Sequence, residues 1–155
     1  MGLLQTISWR AVKALISAQF PQVQQISIAE LANWLQQSPQ LLLLDTRTPE
    51  EYGISHLPNA ILAPENLEEL PSRGWLQDTP IVTYCSVGYR SAKVADQLQQ
   101  MGYRPVWNLD GSIFAWANAG YPVYRDGEVV QQVHPYNARW GMLLKPELHC
   151  MSCSS

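Results

Sequence analysis

The sequence predicts an α/β domain with a five-stranded, mainly parallel sheet flanked by helices on both faces. Two observations predict it. Short apolar runs alternate along the chain with segments of helical periodicity, the order that builds a parallel sheet under crossover helices. One of those runs, Leu41-Leu42-Leu43-Leu44, is apolar at every position, as a strand buried on both faces requires. A length of 155 residues accommodates one compact domain with short extensions, and 46% apolar content supplies its core.

Each element has a local reason. Residues 23–26 form a first strand. Ser27-Ile28-Ala29-Glu30 is a capping box that opens a helix running to Gln37. The leucine run follows and ends at Asp45. Thr48-Pro49-Glu50-Glu51 is a second capping box, with proline at the first helical position. Residues 59–62 suit a short strand and residues 64–70 a brief helix. Residues 80–84 read as a strand, residues 91–101 as a helix closed by Gly102, and residues 105–109 as a last strand. A final helix over residues 111–119 stops at Gly120 and Pro122. The expected organisation is an N-terminal amphipathic helix (1–22), a central domain (23–125) and a C-terminal extension (126–155), with a turn at Asp126-Gly127.

Composition excludes several classes. Ten basic against thirteen acidic residues leave a net charge of −3, which excludes a strongly basic nucleic-acid binder but not a local anion site. No run approaches the roughly 18 apolar residues of a membrane span. Three cysteines, two of them crowded at the far end, do not make a disulfide framework, so a reducing, cytoplasmic setting is expected. The first twenty residues lack the basic head and apolar block of a secretory leader. Ile7, Ala11, Ala14, Leu15 and Ala18 recur at helical spacing, so this helix either packs on the domain or lies at a membrane surface with Trp9, Arg10 and Lys13 near headgroups. Met1-Gly2-Leu3-Leu4-Gln5-Thr6 fits a myristoylation pattern that many chains match by chance.

In sheets of this kind the chemistry lies beyond the carboxyl ends of the strands. Two strands end there in reactive residues: Leu44 leads into Asp45, and Tyr84 into Cys85. After Cys85 come Ser86, Val87, Gly88, Tyr89 and Arg90, then helix from about Ser91. The first backbone N–H groups of a helix have no internal partners, and the helix dipole adds positive charge at the same place. A loop that curls around the sulfur aims those groups inward and favours a thiolate or an anionic persulfide. Gly88 permits the backbone angles of a tight cradle, and Arg90 adds charge nearby. The competing reading is a buried structural cysteine at a strand end.

These residues resemble the rhodanese family. The family's active-site loop matches Cys85-x-x-Gly88-x-Arg90-Ser91, and its upstream signature matches Asp45-x-Arg47, Glu51-Tyr52 and His56-Leu57-Pro58-x-Ala60. Its C-terminal end matches Asn108-Leu109-x-Gly111, Ala115-Trp116 and Ala119-Gly120-Tyr121-Pro122-Val123. Ser55, Asn59 and Ser112 stand where the family usually carries glycine. The resemblance implies a sulfurtransferase. Cys85 would take the outer sulfur of thiosulfate or a related small anionic donor as a persulfide, and pass it to cyanide, a thiol or a protein acceptor. No cofactor or metal is implied. The alternative is a binding or sulfur-delivery module without free turnover. Phosphatases of the Cdc25 type and arsenate reductases use the same design with a loop one residue longer than Ser86-Val87-Gly88-Tyr89, which fits this chain less well.

Around this loop, Arg90 either attracts the donor or braces the loop. Asp45, Arg47, Glu51 and His56 are read as supporting residues. Arg47 and Glu51, four apart, are expected to pair. His56 suits a hydrogen-bonding anchor better than a base, and Trp107 and Trp116 suit the core. The segment from His134 to Trp140 carries no recognisable motif. Cys150-x-x-Cys153 has redox-pair spacing and half a zinc site's ligands, and reads as two secondary thiols on a mobile tail. The tail would accept sulfur from Cys85 if it swings.

Overall fold

A computed structural model describes residues 8–37 and 40–153. Five parallel strands form one sheet: β1 (Gln24–Ile26), β2 (Leu42–Asp45), β3 (Ile61–Leu62), β4 (Ile81–Tyr84) and β5 (Val106–Leu109), in the spatial order β1-β5-β4-β2-β3. Asp45 pairs in register with Tyr84, so β2 and β4 end at the same edge. The helices are α1 (Trp9–Gln19), α2 (Ile28–Gln37), α3 (Pro49–Ile54), α4 (Tyr89–Gln100) and α5 (Ser112–Asn118).

The leucine run explains the layering. Successive strand side chains point to opposite faces. Leu42 and Leu44 pack with Ala95 and Leu98 of α4, whereas Leu43 packs with residues of α1, α2 and α5. Both capping boxes form: Ser27 Oγ and Glu30 bond each other's backbone N–H groups, and Thr48 and Glu51 do the same. Three elements differ from expectation. The strand at 59–62 keeps only two paired residues, residues 67–73 form two 3₁₀ turns, and α4 starts at Tyr89. Pro71 removes an N–H that one α-helix running through both turns would need.

The N-terminal helix buries a different face from the one its alanines suggest. Val12 and Ile16 are buried, with Trp9 and Phe20 packed beside them, while Ala11, Ala14 and Leu15 face outward. Val12, Ile16, Trp9 and Phe20 together offer more apolar area than Leu15 and the alanines, so their face decides the orientation. Trp9 thus lies against the domain, and Lys13 pairs with Asp110 at 3.4 Å. Ile7 and the Met1–Thr6 pattern fall outside the described residues. Among the described residues no helix is long and apolar enough to cross a membrane.

The C-terminal extension is built into the fold. β6 (Val123–Arg125) and β7 (Glu128–Val130) form a hairpin whose turn places Asp126 and Gly127 at φ 52° and 80°, the left-handed angles of a tight hairpin. Val133, Leu143 and Leu144 join the core on the α2/α5 side. The final segment is not a loose tail. Cys150 N–H donates to Val133 O, and the His149 ring bonds the carbonyls of Gly141 and Leu144. Cys150 and Cys153 are joined as a disulfide, with Cα atoms 5.5 Å apart. The secondary thiols expected there are therefore bonded to each other, and Cys85 is the free cysteine.

Two of the three positions where glycine is usual keep a glycine-like backbone: Asn59 has φ 61° and Ser112 φ 52°. Gly111, at φ 80°, packs so closely that an added Cβ would lie 2.4 Å from Ala115 Cβ. Gly111→Ala is therefore expected to destabilise the fold by about 1–3 kcal/mol, measured by urea unfolding.

Candidate active site

Cys85 follows β4 directly, and Gly88 caps α4 with φ 114°. Only a residue without Cβ adopts that angle without strain, and it turns the Gly88 N–H back to Cys85 Sγ at 3.1 Å. Ser91 Oγ donates to the same sulfur at 3.4 Å. The turn into α4 therefore sets one backbone N–H and one hydroxyl on Sγ. The loop is tied down behind the sulfur. Cys85 N–H donates to Ser112 Oγ at 3.1 Å, while the carbonyls of Cys85 and Ser86 accept from Ile113 and Phe114. Thr83 Oγ1 donates to Ser91 O at 2.9 Å, and Asn108 Nδ2 to Gly88 O at 3.0 Å.

Two ion pairs, one fully buried and one partly exposed, brace the surroundings of the loop, and they are not the pair expected from spacing. Arg47 does not bridge to Glu51. Its Nε donates to Asp45 Oδ1 at 2.9 Å and its Nη2 to Asp45 Oδ2 at 2.6 Å and to Ser55 O at 2.7 Å. Asp45 also accepts the Tyr84 hydroxyl. With both side chains fully buried, the guanidinium takes the carboxylate two residues back. Burial opposes its charge, but Asp45 outweighs that and raises its pKa. Burial and the Asp45 charge also raise the Tyr84 phenol.

Glu51 instead meets Arg90 in a bidentate pair at 2.9 and 3.0 Å. Arg90 Nη2 also donates to Ser86 Oγ at 2.9 Å. Burial would raise the Glu51 pKa, but the Arg90 bonds and charge, the Thr48 N–H and the Arg47 charge outweigh it and hold the pKa at about 2. Arg90 braces the loop, and its side chain remains 30% exposed. His56 lies in the anchoring arrangement: its backbone pairs with Tyr124, its Nδ1 meets Leu57 O at 2.8 Å, and its ring stacks on Tyr52 at 4.3 Å.

Cys85 is 1% exposed, yet it lines a pocket of about 260 Å³ that opens to solvent. Ser86, Val87, Tyr89 and Arg90 of the loop line it as well. The other walls come from both extensions: Val12 and Leu15 of α1, and Tyr136 and Trp140. The Tyr136 ring covers the Arg90 guanidinium at 4.5 Å. Tyr136 holds a left-handed backbone at φ 71°, fixed by its N–H donating to His134 Nδ1. Sequence reasoning missed these walls. The available signal was two aromatics four apart in an otherwise polar segment.

The model of the rhodanese-like domain matches residues 27–119. The chain belongs to the rhodanese-like family. A sulfurtransferase of Allochromatium vinosum is 36% identical over 101 residues, covering 65% of this chain and 94% of that one. A tRNA uridine(34) hydroxylase of Escherichia coli is 27% identical over 135 residues, covering 79% of this chain but 37% of that one. The thiosulfate sulfurtransferase of Pseudomonas aeruginosa superposes with a TM-score of 0.65 at 22% identity, over 77% of this chain and 23% of that one, and so shares the fold. The family includes sulfurtransferases, the Allochromatium vinosum protein among them.

The Glu51 carboxyl, held near pKa 2 against 4.5 ordinarily, stabilises the folded state above pH 4.5. That contribution fades as pH falls from 4.5 toward 2. Glu51→Gln is expected to lower stability at pH 7, because Arg90 loses its partner, and to flatten the loss between pH 5 and about pH 2. Urea midpoints across that pH range check both effects.

Proposed function

We propose that this rhodanese carries sulfane sulfur as a persulfide on Cys85. The observation that supports it most is a free cysteine sulfur facing the N-terminus of α4, held by the Gly88 N–H and the Ser91 hydroxyl, at the floor of a pocket open to solvent. In the first half-reaction the Cys85 thiolate attacks the outer sulfur of a donor such as thiosulfate. The donor's S–S bond breaks, sulfite leaves with the electron pair, and Cys85 carries a persulfide anion. In the second, cyanide or a thiolate attacks the terminal sulfur, and the Cys85 thiolate is regenerated. Sulfite is already a stable anion, so no general acid is required. That agrees with His56 being engaged with Leu57 and Tyr124.

The residues around the sulfur have distinct roles in this scheme. The α4 donors stabilise the charge on thiolate and persulfide alike. Ser91 and Ser112 are positioning residues, one on the sulfur and one on the Cys85 amide. Glu51 and Arg90 fix the loop's shape. Phosphate chemistry fits less well, because Arg90 is engaged with Glu51 and Ser86 and not free to clamp a tetrahedral anion.

Incubation with thiosulfate is expected to add the mass of one sulfur atom, mapped by peptide mass spectrometry to Cys85 and discharged by cyanide. Cys85→Ser should fold with a near-native urea midpoint and gain no sulfur. Sulfur loading or thiosulfate:cyanide turnover in Cys85→Ser would overturn the reading.

A further inference from the structure

A second pair of sulfurs lies at the end of the C-terminal extension, outside the walls of the Cys85 pocket. Cys150 and Cys153 are joined as a disulfide that encloses only Met151 and Ser152. The chain-entropy gain from a disulfide grows with the loop it closes, so a loop this short gives the least. The segment is held by other bonds. Val133 N–H donates to Leu148 O at 2.8 Å, and Cys150 N–H to Val133 O at 3.1 Å. His149 Nε2 bonds the carbonyls of Gly141 and Leu144 at 2.8 and 3.0 Å. Val133 itself is buried in the core. None of these contacts uses sulfur, so a structural staple is a poor account of the disulfide.

The two sulfurs are unequal. Cys150 is 5% exposed and anchored through its backbone, whereas Cys153 is partly exposed. Met151 and Ser152 between them both face solvent, so the outer side of the turn is open. Ser152 Oγ lies 3.5 Å from Cys150 Sγ. A hydroxyl there donates to Cys150 once that sulfur carries negative charge. An incoming thiolate therefore meets Cys153, and Cys150 is the better leaving group.

From these observations we propose that Cys150 and Cys153 form a redox-active site that exchanges two electrons with a dithiol. One thiolate of the dithiol attacks Cys153 Sγ. The Cys150–Cys153 bond breaks, and Cys150 leaves with the electron pair as a thiolate. The dithiol's second thiolate then attacks its own sulfur in the mixed disulfide and expels the Cys153 thiolate. The dithiol ends oxidised to a disulfide, and the chain ends reduced by two electrons. The two protons released by the dithiol pass to Cys150 and Cys153. A monothiol serves poorly. Cys150, held three positions from Cys153, attacks the mixed disulfide again and expels the monothiol before a second one arrives.

The test treats the whole chain, without denaturant, with dithiothreitol or with glutathione at equal thiol concentration, followed by alkylation and peptide mass mapping. Dithiothreitol is expected to open both Cys150 and Cys153 to alkylation while the urea midpoint stays near-native, and to act about tenfold or more faster than glutathione. In the single-cysteine variants, oxidised glutathione should form a mixed disulfide with Cys153 in Cys150→Ser about tenfold or more faster than with Cys150 in Cys153→Ser. Exchange at the buried sulfur requires the segment to open first. Reduction only at urea concentrations that unfold the chain, or equal rates for the two reductants or for the two variants, overturns the proposal. The reductant comparison decides it alone if a variant does not fold. Sulfur loading on Cys85 is a separate reaction, so failure here leaves the persulfide reading standing.

Discussion

The handover from β4 to α4 is the constraint on which the rest of the site depends. Tyr84 ends a strand in the middle of the sheet, Cys85 follows it, and Gly88 turns the chain into α4 with its own N–H bonded back to the sulfur. A left-handed glycine at that point lets the loop close in so few residues. The backs of the loop residues are bonded to α5 and β5 through Ser112, Ile113, Phe114 and Asn108. The donors are thus arranged before any substrate arrives, and little reorganisation is needed when negative charge moves along the sulfur chain.

Buried polar groups around this loop form two assemblies that share α3. Asp45, Arg47 and Tyr84 knit the ends of β2 and β4 and hold the Ser55 carbonyl at the end of α3. Glu51 caps the start of α3 and also clamps Arg90 on α4. Its carboxylate has both a capping and a bracing task, and truncating it would leave the Arg90 guanidinium without its counter-charge and the Thr48 N–H without its acceptor. The loop therefore owes its shape to residues that never touch the sulfur.

Much of the fold was legible because its signals are local. The two capping boxes, the leucine run and the strand before Cys85 each carry their reason within a few residues. Pairings across the chain were not legible. Spacing favoured Arg47 with Glu51, but Asp45 competes for Arg47 from two residues away, and Glu51 finds Arg90 only once β2 and β4 lie side by side. The orientation of α1 depended on side-chain size as well as on periodicity. Tyr136 and Trp140 gave no motif because their position follows from the path of the extension: the β6–β7 hairpin, the core residue Val133 and the His149 clasp bring Tyr136 over Arg90 and Trp140 to the pocket wall.

The pocket is therefore a joint product of the family domain, which supplies the sulfur and its amides, and of the two extensions, which supply the apolar rim. The most direct measurement is a crystal structure after brief exposure to thiosulfate. One added sulfur atom is predicted on Cys85 Sγ, pointing into the pocket and within hydrogen-bonding distance of the α4 amides, with Gly88 still in its left-handed conformation. An unmodified Sγ, or a loop sprung open with the Gly88 N–H turned from the sulfur, would contradict the central claim that this amide cradle carries transferable sulfur.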